Sequence, residues 1–194
     1  FNLHHYEAFA AYPKLYADFR AVSAGKPMWV TEAARPVKWS DEKSKEPSDA
    51  DLREQSERLV KTYALALHEG VAAMFYFMLP HYVEGQTQFG VLRPDLTPRP
   101  AFVALATVGR LLANAKPLGV SSTTNAGLQA VWFHAQPDGR PADVLVAWVE
   151  SGEATLDLPA PAEQVFDHLG SVDSNAMTSA PDGAQHARFS LRAA

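Results

Sequence analysis

The stretch Pro27-Met28-Trp29-Val30-Thr31-Glu32 is a short apolar run that ends on a carboxylate. Such a run is typical of a buried strand in a parallel sheet, and it brings one acid to the carboxyl end of that strand. Two other runs repeat the pattern: residues 1–6 end in polar rings, and residues 71–79 end close to His81. In a barrel of parallel strands, active sites are built at the carboxyl ends. Glu32 is therefore the first candidate for a catalytic residue.

Helical spacing of apolar residues separates these strand-like runs. The first helix is predicted over residues 8–24, and the second runs from a cap at Ser48 or Asp49 to residue 69. The proline-rich stretch 97–100 introduces a third helix over residues 101–114. The polar stretch 35–51 is predicted to be a loop over the carboxyl ends of the strands.

Strands that alternate with helices indicate a parallel sheet. Three strands do not close a barrel, since closure takes about eight. An open doubly wound sheet is the alternative, but no glycine-rich phosphate loop follows any of the three strands. We therefore expect residues 1–116 to be the C-terminal part of a (β/α)8 TIM barrel, its last three βα units. About five further units are expected upstream of Phe1 in the parent polypeptide.

The pattern changes in residues 117–194, where short apolar or alternating segments are bounded by turn residues. Pro137-Asp138-Gly139 and Ser151-Gly152 are typical hairpin turns. This part is predicted to be a small all-β sandwich, an accessory domain. Trp132 and Trp148 fall within apolar strand runs, which favours core positions for both indole rings.

Composition narrows the function classes. The net charge of −5 and the pI near 5.8 give no basic surface, which argues against a nucleic-acid partner. No apolar run is long enough to cross a bilayer, and neither a signal peptide nor a lipidation motif is present, so no membrane partner is expected. The absence of cysteine excludes disulfides and thiolate metal sites. No metal site is predicted, because histidines and acids do not recur at ligand spacing.

The order of these residues resembles the end of clan A glycoside hydrolases: His4-x-Tyr6 on one strand, Trp29-Val30-Thr31-Glu32 on the next, then an aromatic strand. The stretch from Phe89 to Phe102 is more specific. It is similar to the fG-L-x-x-D-x-x-P-K/R-P-a-y sequence that leads into the final barrel helix of many of these enzymes. The predicted sandwich is similar to that of the β-xylosidase and α-iduronidase type.

This resemblance implies a retaining enzyme that acts on poly- or oligosaccharides by double displacement, without a cofactor. Glu32 would be the nucleophile at the end of the seventh strand. His4 and Tyr6 would end the sixth strand, and Tyr76 or Phe77 the eighth. The general acid/base of the family is a glutamate on the fourth strand, which is expected on an upstream segment of the same parent protein. Action on polysaccharides favours a secreted or periplasmic location.

The residue types fit that chemistry. A nucleophilic carboxylate needs hydrogen-bond donors that favour its anion, and strand alternation puts His4 and Tyr6 on one face. Arg35 is expected to add positive charge near Glu32. Aromatic rings stack on the apolar faces of sugars, and Trp39, Phe77 and Tyr82 are the candidates for this role. His81 is predicted to contact the substrate.

Other interpretations remain open at this level. A carboxylate at a strand end also caps helices or pairs with a neighbour such as Arg35. Tyr6 also suits an aromatic position at the barrel rim, and His81 suits a loop where its ring nitrogens are satisfied. Glu7 and Glu84 suit solvated loops. The rival function is a non-catalytic carbohydrate-binding or assembly protein that keeps a degenerate half-barrel.

Overall fold

The computed structural model describes residues 2–39, 42–43, 45–120, 127–158, 162–173, 178–179 and 187–193. Its helices are α1 (Tyr12–Val22), α2 (Asp49–His68) and α3 (Pro100–Leu111), with short 3-10 turns at Phe9–Ala11 and Pro137–Gly139. The strands in chain order are β1 (Asn2–His5), β2 (Trp29–Ala33), β3 (Val37–Lys38), β4 (Ala73–Tyr76), β5 (Tyr82–Glu84), β6 (Thr87–Phe89), β7 (Lys116–Val120), β8 (Leu128–Ala135), β9 (Ala142–Val149), β10 (Glu153–Leu158), β11 (Thr178–Ser179) and β12 (Ala187–Arg192).

The first sheet is parallel and has the order β1-β2-β4. Helix α1 connects β1 to β2, and α2 lies between β2 and β4 along the chain. The pairing of β1 with β2 shifts after Leu3, and beyond the shift His4 lies opposite Glu32. All three strands therefore bring their carboxyl ends to one edge of the sheet.

Local signals explain the ends of the helices. The Ser48 hydroxyl accepts a hydrogen bond from the Asp51 N–H at 3.1 Å, which caps α2. Gly70 follows α2 with φ of +74°, a conformation that glycine adopts without strain. Helix α1 starts later than predicted, because Phe9–Ala11 forms a 3-10 turn first. Helix α3 ends at Leu111, earlier than predicted, and Asn114 takes φ of +54°.

The two faces of the parallel sheet have different surroundings. One face is covered by α1 and α2, where a cluster of apolar side chains is buried: Leu3, Tyr12, Tyr16, Met28, Val30, Ala33, Leu65, Ala66 and Val71. The other face leaves Trp29 47% exposed and Phe75 51% exposed, with their ring centroids 6.3 Å apart. Among the described residues, no strand pairs with the outer edges of β1 and β4. We call this uncovered surface the open face.

A small antiparallel sheet, β3-β6-β5, lies beyond the carboxyl ends of β2 and β4 along the chain. Val37 of β3 pairs with Gln88 of β6, and Tyr82 of β5 pairs with Phe89. Part of the stretch that was predicted to be a loop thus forms strand β3. The sheet ties the segment after Glu32 to the hairpin formed by β5 and β6.

The second half of the chain forms two further antiparallel sheets, β7-β8-β9 and β10-β12-β11. Sheet β7-β8-β9 buries Val131, Phe133 and Trp148 in one apolar cluster with residues of α2 and α3. Other apolar side chains of this sheet, among them Leu128 and Ala130, pack against residues of β10 and β12. Trp148 is buried and Trp132 half-buried, so both rings contribute to packing.

The fold is thus mixed α/β with several sheets. None of its described helices combines the length and the apolar character that a membrane span requires.

Candidate active site

Glu32 lies near the end of β2, and its side chain is 33% exposed. The Tyr6 hydroxyl donates a hydrogen bond to Glu32 Oε2 at 2.7 Å. His4 Nδ1 lies 3.3 Å from the same oxygen. Both groups come from the end of β1, the strand next to β2 in the sheet. The carboxylate is therefore held by two polar rings in a partly accessible position.

The Tyr6 hydroxyl is a hydrogen-bond donor whose pKa is shifted by its surroundings. Partial burial of the phenol, the hydrogen bond to Glu32 and the negative charge of that carboxylate together raise the pKa of Tyr6 above its ordinary value. The hydroxyl therefore stays protonated across the physiological range. Hydrogen bonds from a hydroxyl to a carboxylate are charge-assisted and stronger than those between neutral groups, so Tyr6 holds the Glu32 side chain in place.

Four aromatic rings surround this end of the sheet, and we call them the aromatic wall: Tyr6, Phe77, Tyr82 and Phe89. The Tyr6 ring lies 6.4 Å from both Phe77 and Phe89, edge to face, and Phe77 lies 5.5 Å from Phe89. Tyr82 lies 6.1 Å from Phe77 and is exposed. The exposed Tyr82 ring, which is connected to Tyr6 through Phe77, offers a stacking surface for the apolar face of a sugar. Phe89 was not among the site candidates, although it begins the Phe89-Gly90 motif.

Arg35 does not face Glu32. Its Nε and Nη2 atoms donate to the two carboxylate oxygens of Glu54 on α2, each at 2.8 Å, and Nη1 donates to the Pro36 carbonyl at 2.9 Å. These hydrogen bonds lower the pKa of Glu54 and raise that of Arg35. The expectation of positive charge beside Glu32 is corrected by this geometry, because a bidentate carboxylate on α2 takes up the guanidinium.

Two further predicted site residues lie in the region of the small antiparallel sheet. Trp39 follows β3 and is buried, with its indole Nε1 lacking a hydrogen-bond partner, so the ring offers no stacking surface at the strand ends. That corrects its predicted place among the sugar-facing rings. His81 is half-buried, and its Nδ1 also lacks a partner. Burial, with a smaller contribution from Arg99, lowers the pKa of His81.

The neighbouring histidines on β1 have opposite surroundings. His4 is exposed beside Glu32, whereas His5 is fully buried on the helix-covered face. The Tyr16 hydroxyl lies 2.8 Å from His5 Nε2, and the Tyr12 ring centroid lies 4.1 Å from that of His5. Burial lowers the pKa of His5 to about 4, so this imidazole is neutral at neutral pH.

Two more acids lie near this end of the sheet. Glu7 accepts a hydrogen bond from the Tyr6 backbone N–H at 2.9 Å, and Glu84 accepts one from the Tyr82 hydroxyl at 2.8 Å. The charge of Glu84 contributes to the raised pKa of Tyr6. The part of the chain that the structure describes has no group of three side chains suited to hold a metal ion.

No protein-family model matches the sequence, and a search of curated proteins finds no match. Among solved structures, the chain is similar to a family 39 glycoside hydrolase from the gut symbiont Bacteroides cellulosilyticus WH2, with a TM-score of 0.62 and 21% sequence identity. The likeness covers 93% of this chain and 36% of that chain, so this chain spans about a third of its length. At this identity the likeness is one of fold: the chain has a glycoside-hydrolase-like fold.

Proposed function

We propose that this chain is the C-terminal part of a retaining glycoside hydrolase and that Glu32 is its nucleophile. The observation that carries the proposal is the setting of the Glu32 carboxylate. It lies at the end of the central parallel strand, accepts a hydrogen bond from Tyr6 at 2.7 Å, and has His4 Nδ1 at 3.3 Å. The aromatic wall next to it supplies sugar-stacking surface.

The proposal includes a barrel in which β1, β2 and β4 are the sixth, seventh and eighth strands. It is supported by the parallel order, by the packing of α1 and α2 on one face, and by the exposed Trp29 and Phe75 on the open face. Parallel sheets are normally covered on both faces. An upstream segment of the parent protein would supply the other strands, and β7–β12 would form an accessory β-sandwich.

In the proposed reaction, a Glu32 oxygen attacks the anomeric carbon while the leaving glycosidic oxygen takes a proton from a second carboxyl group. Retaining enzymes place this group about 5–5.5 Å from the nucleophile. The same group then removes a proton from water, which attacks the glycosyl ester and releases Glu32 as the carboxylate. At the start and at the end of this cycle Tyr6 donates a hydrogen bond to the Glu32 carboxylate, and His4 lies beside the same oxygen. The steps balance without a cofactor.

The proposed substrate class is a polysaccharide or oligosaccharide. Stacking on Tyr82 and Phe77 suits the apolar face of a pyranose ring, while hydroxyl groups need polar partners such as His4. This arrangement does not select among xylo-, gluco- and manno-configured sugars.

The test is the substitution Glu32→Gln in the parent protein, assayed with a set of aryl glycosides. We expect kcat to fall by about a thousandfold or more, because the amide is not a nucleophile, while sugar affinity is kept. The matched control is Glu57→Gln on α2, where the carboxylate pairs with Arg53 at 2.8 Å. Undiminished hydrolysis by the Glu32→Gln variant would show that Glu32 is not the nucleophile.

A second readout separates the proposal from the rival carbohydrate-binding function. A 2-deoxy-2-fluoro glycoside traps the covalent intermediate of a retaining enzyme, and peptide mapping then identifies the esterified residue. We expect the label on Glu32. A pure binding protein would bind the sugar, give no label, and keep the same affinity in the Glu32→Gln variant.

A further inference from the structure

Arg99 is a fully buried cation at the start of α3. It is the residue that precedes the helix, and it is 0% exposed, the largest of the fully buried side chains in the described part of the chain. Its backbone N–H donates to the Val91 carbonyl at 2.9 Å. A buried guanidinium is costly unless its donors are satisfied, so the partners of Arg99 need an explanation.

Those partners form a chain of hydrogen bonds across three segments. Arg99 Nη2 donates to the side-chain oxygen of Gln88, which is 1% exposed on the central strand β6. The Gln88 amide nitrogen donates to the Lys45 backbone carbonyl, in the segment between β3 and α2. A side-chain amide is suited to this place because it accepts on one side and donates on the other.

The next residue along β6 connects this chain to Glu32. Phe89 contacts the Tyr6 ring, and Tyr6 donates to Glu32. Gln88 also pairs in register with Val37 of β3, the strand that follows β2. A displacement of β6 would therefore move the aromatic wall relative to the carboxylate.

The Arg99 guanidinium has two more donor nitrogens besides Nη2. Arg99 Nε and Nη1 have no hydrogen-bond partner, and burial lowers the pKa of the guanidinium. The charge of Glu46, the residue after Lys45, is the largest effect that opposes this shift. Both the attraction of Glu46 and the Gln88 bridge thus act between Arg99 and the same short segment.

We propose that Arg99 is a positioning residue: through Gln88 and the Lys45 carbonyl, it sets the place of the β5–β6 hairpin and of residues 45–47 relative to the Tyr6–Glu32 pair. Its importance for turnover rests on the proposed function, but the positional coupling does not. The coupling can therefore be measured without an assay of enzymatic activity.

Two substitutions in the full chain separate the links. Gln88→Glu keeps an acceptor for Arg99 but removes the donor to Lys45, whereas Arg99→Met removes the anchor of both segments. Amide hydrogen exchange is measured in peptides that cover residues 45–49, residues 80–92 and α1. The matched control is Arg110→Gln at the other end of α3, where the arginine lies 3.6 Å from Asp138 at the surface.

We expect exchange in residues 45–49 to be about tenfold faster in both variants, the size expected for one lost hydrogen bond. Residues 80–92 should respond in Arg99→Met only, and α1 should be unchanged. In Arg99→Met, the NMR signal of the Tyr6 ring should also shift and its pKa should fall toward the ordinary value. The Arg110 control should show none of these changes.

A uniform rise in exchange that includes α1, with the Tyr6 signal unchanged, would show a purely structural role and overturn the proposal. If Arg99→Met fails to fold, Gln88→Glu decides alone: unchanged exchange in residues 45–49 would overturn it. Failure of the proposed function would appear instead as a parent protein without glycosidase activity, while these exchange patterns persist.

Discussion

The two faces of the parallel sheet share the same three strands but not the same physical role. The helix-covered face buries Leu3 and Val30 against α1 and α2. The open face carries Trp29 and Phe75 half in solvent, and at its edge Glu32 lies with its two polar partners. Burial of apolar area stabilises the fold on one side, whereas polar groups and aromatic rings stay accessible on the other.

The adjacent histidines show the same contrast at the scale of one residue. Successive side chains of a strand point to opposite faces. His4 therefore lies next to Glu32, and His5 is buried against Tyr12 and Tyr16. The same residue type acts as a partner of a carboxylate in one place and as a neutral core group in the other.

The largest expected effect compares apolar residues on the two faces. Leu3→Ala should destabilise the protein by about 2–5 kcal/mol, because it leaves a cavity on the covered face. In these 194 residues without the proposed upstream segment, Trp29→Ala on the open face should cost less than about 1 kcal/mol. Chemical denaturation measures both values. An equally large cost for Trp29→Ala would mean that another polypeptide covers the open face in solution.

The second prediction concerns pH. His5 has a folded-state pKa of about 4, mainly because of burial, against 6.5 in the unfolded chain, which therefore binds the proton first as the pH falls. Glu7 opposes the shift and Arg58 adds to it. The contribution of His5 to the free energy of unfolding should have its full value above pH 6.5. It should decline toward pH 4, by roughly 3 kcal/mol in total.

Unfolding free energies measured between pH 7 and pH 4 test this slope. The variant His5→Gln should lose the part of the slope that His5 contributes, whereas His4→Gln should keep it. If His4→Gln flattens the profile instead, the assignment of the two imidazoles to the two faces is wrong.

The smallest expected effect compares two tyrosine hydroxyls. Tyr16→Phe should cost about 1–2 kcal/mol, because it leaves the buried His5 nitrogen without its partner at 2.8 Å. Tyr6→Phe should change stability by less than about 0.5 kcal/mol, since Tyr6 is exposed. Denaturant midpoints of both variants check the difference. Equal costs would show that the Tyr6–Glu32 hydrogen bond also supports the fold.

Much of the local structure was predictable because its causes are local. The Ser48 cap, the helical spacing in α2 and the glycine that ends it lie within a few residues of one another. The alternation along β1 likewise follows from backbone geometry alone. The helix ends were less predictable: the 3-10 turn before α1 has no distinct sequence signal.

The partners of charged and aromatic side chains were not predictable in the same way. Arg35 binds Glu54, which is nineteen residues away in sequence. The sequence predicts a place beside Glu32 instead, because Glu32 is only three residues away. Trp39 is buried directly after β3, the strand that pairs with β6. Both outcomes depend on where α2 and the β5–β6 hairpin lie in space.

The sequence by itself determined that an apolar strand carries Glu32 near its end, that His4 and Tyr6 share a strand face, and that helices alternate with strands. These features follow from the periods of strand and helix. The tertiary structure alone decided that Tyr6 and His4 reach the same Glu32 oxygen, that Arg35 is taken by Glu54, and that Arg99 is buried against Gln88. Such contacts join residues far apart in the chain, and their geometry exists only once the strands and helices have packed.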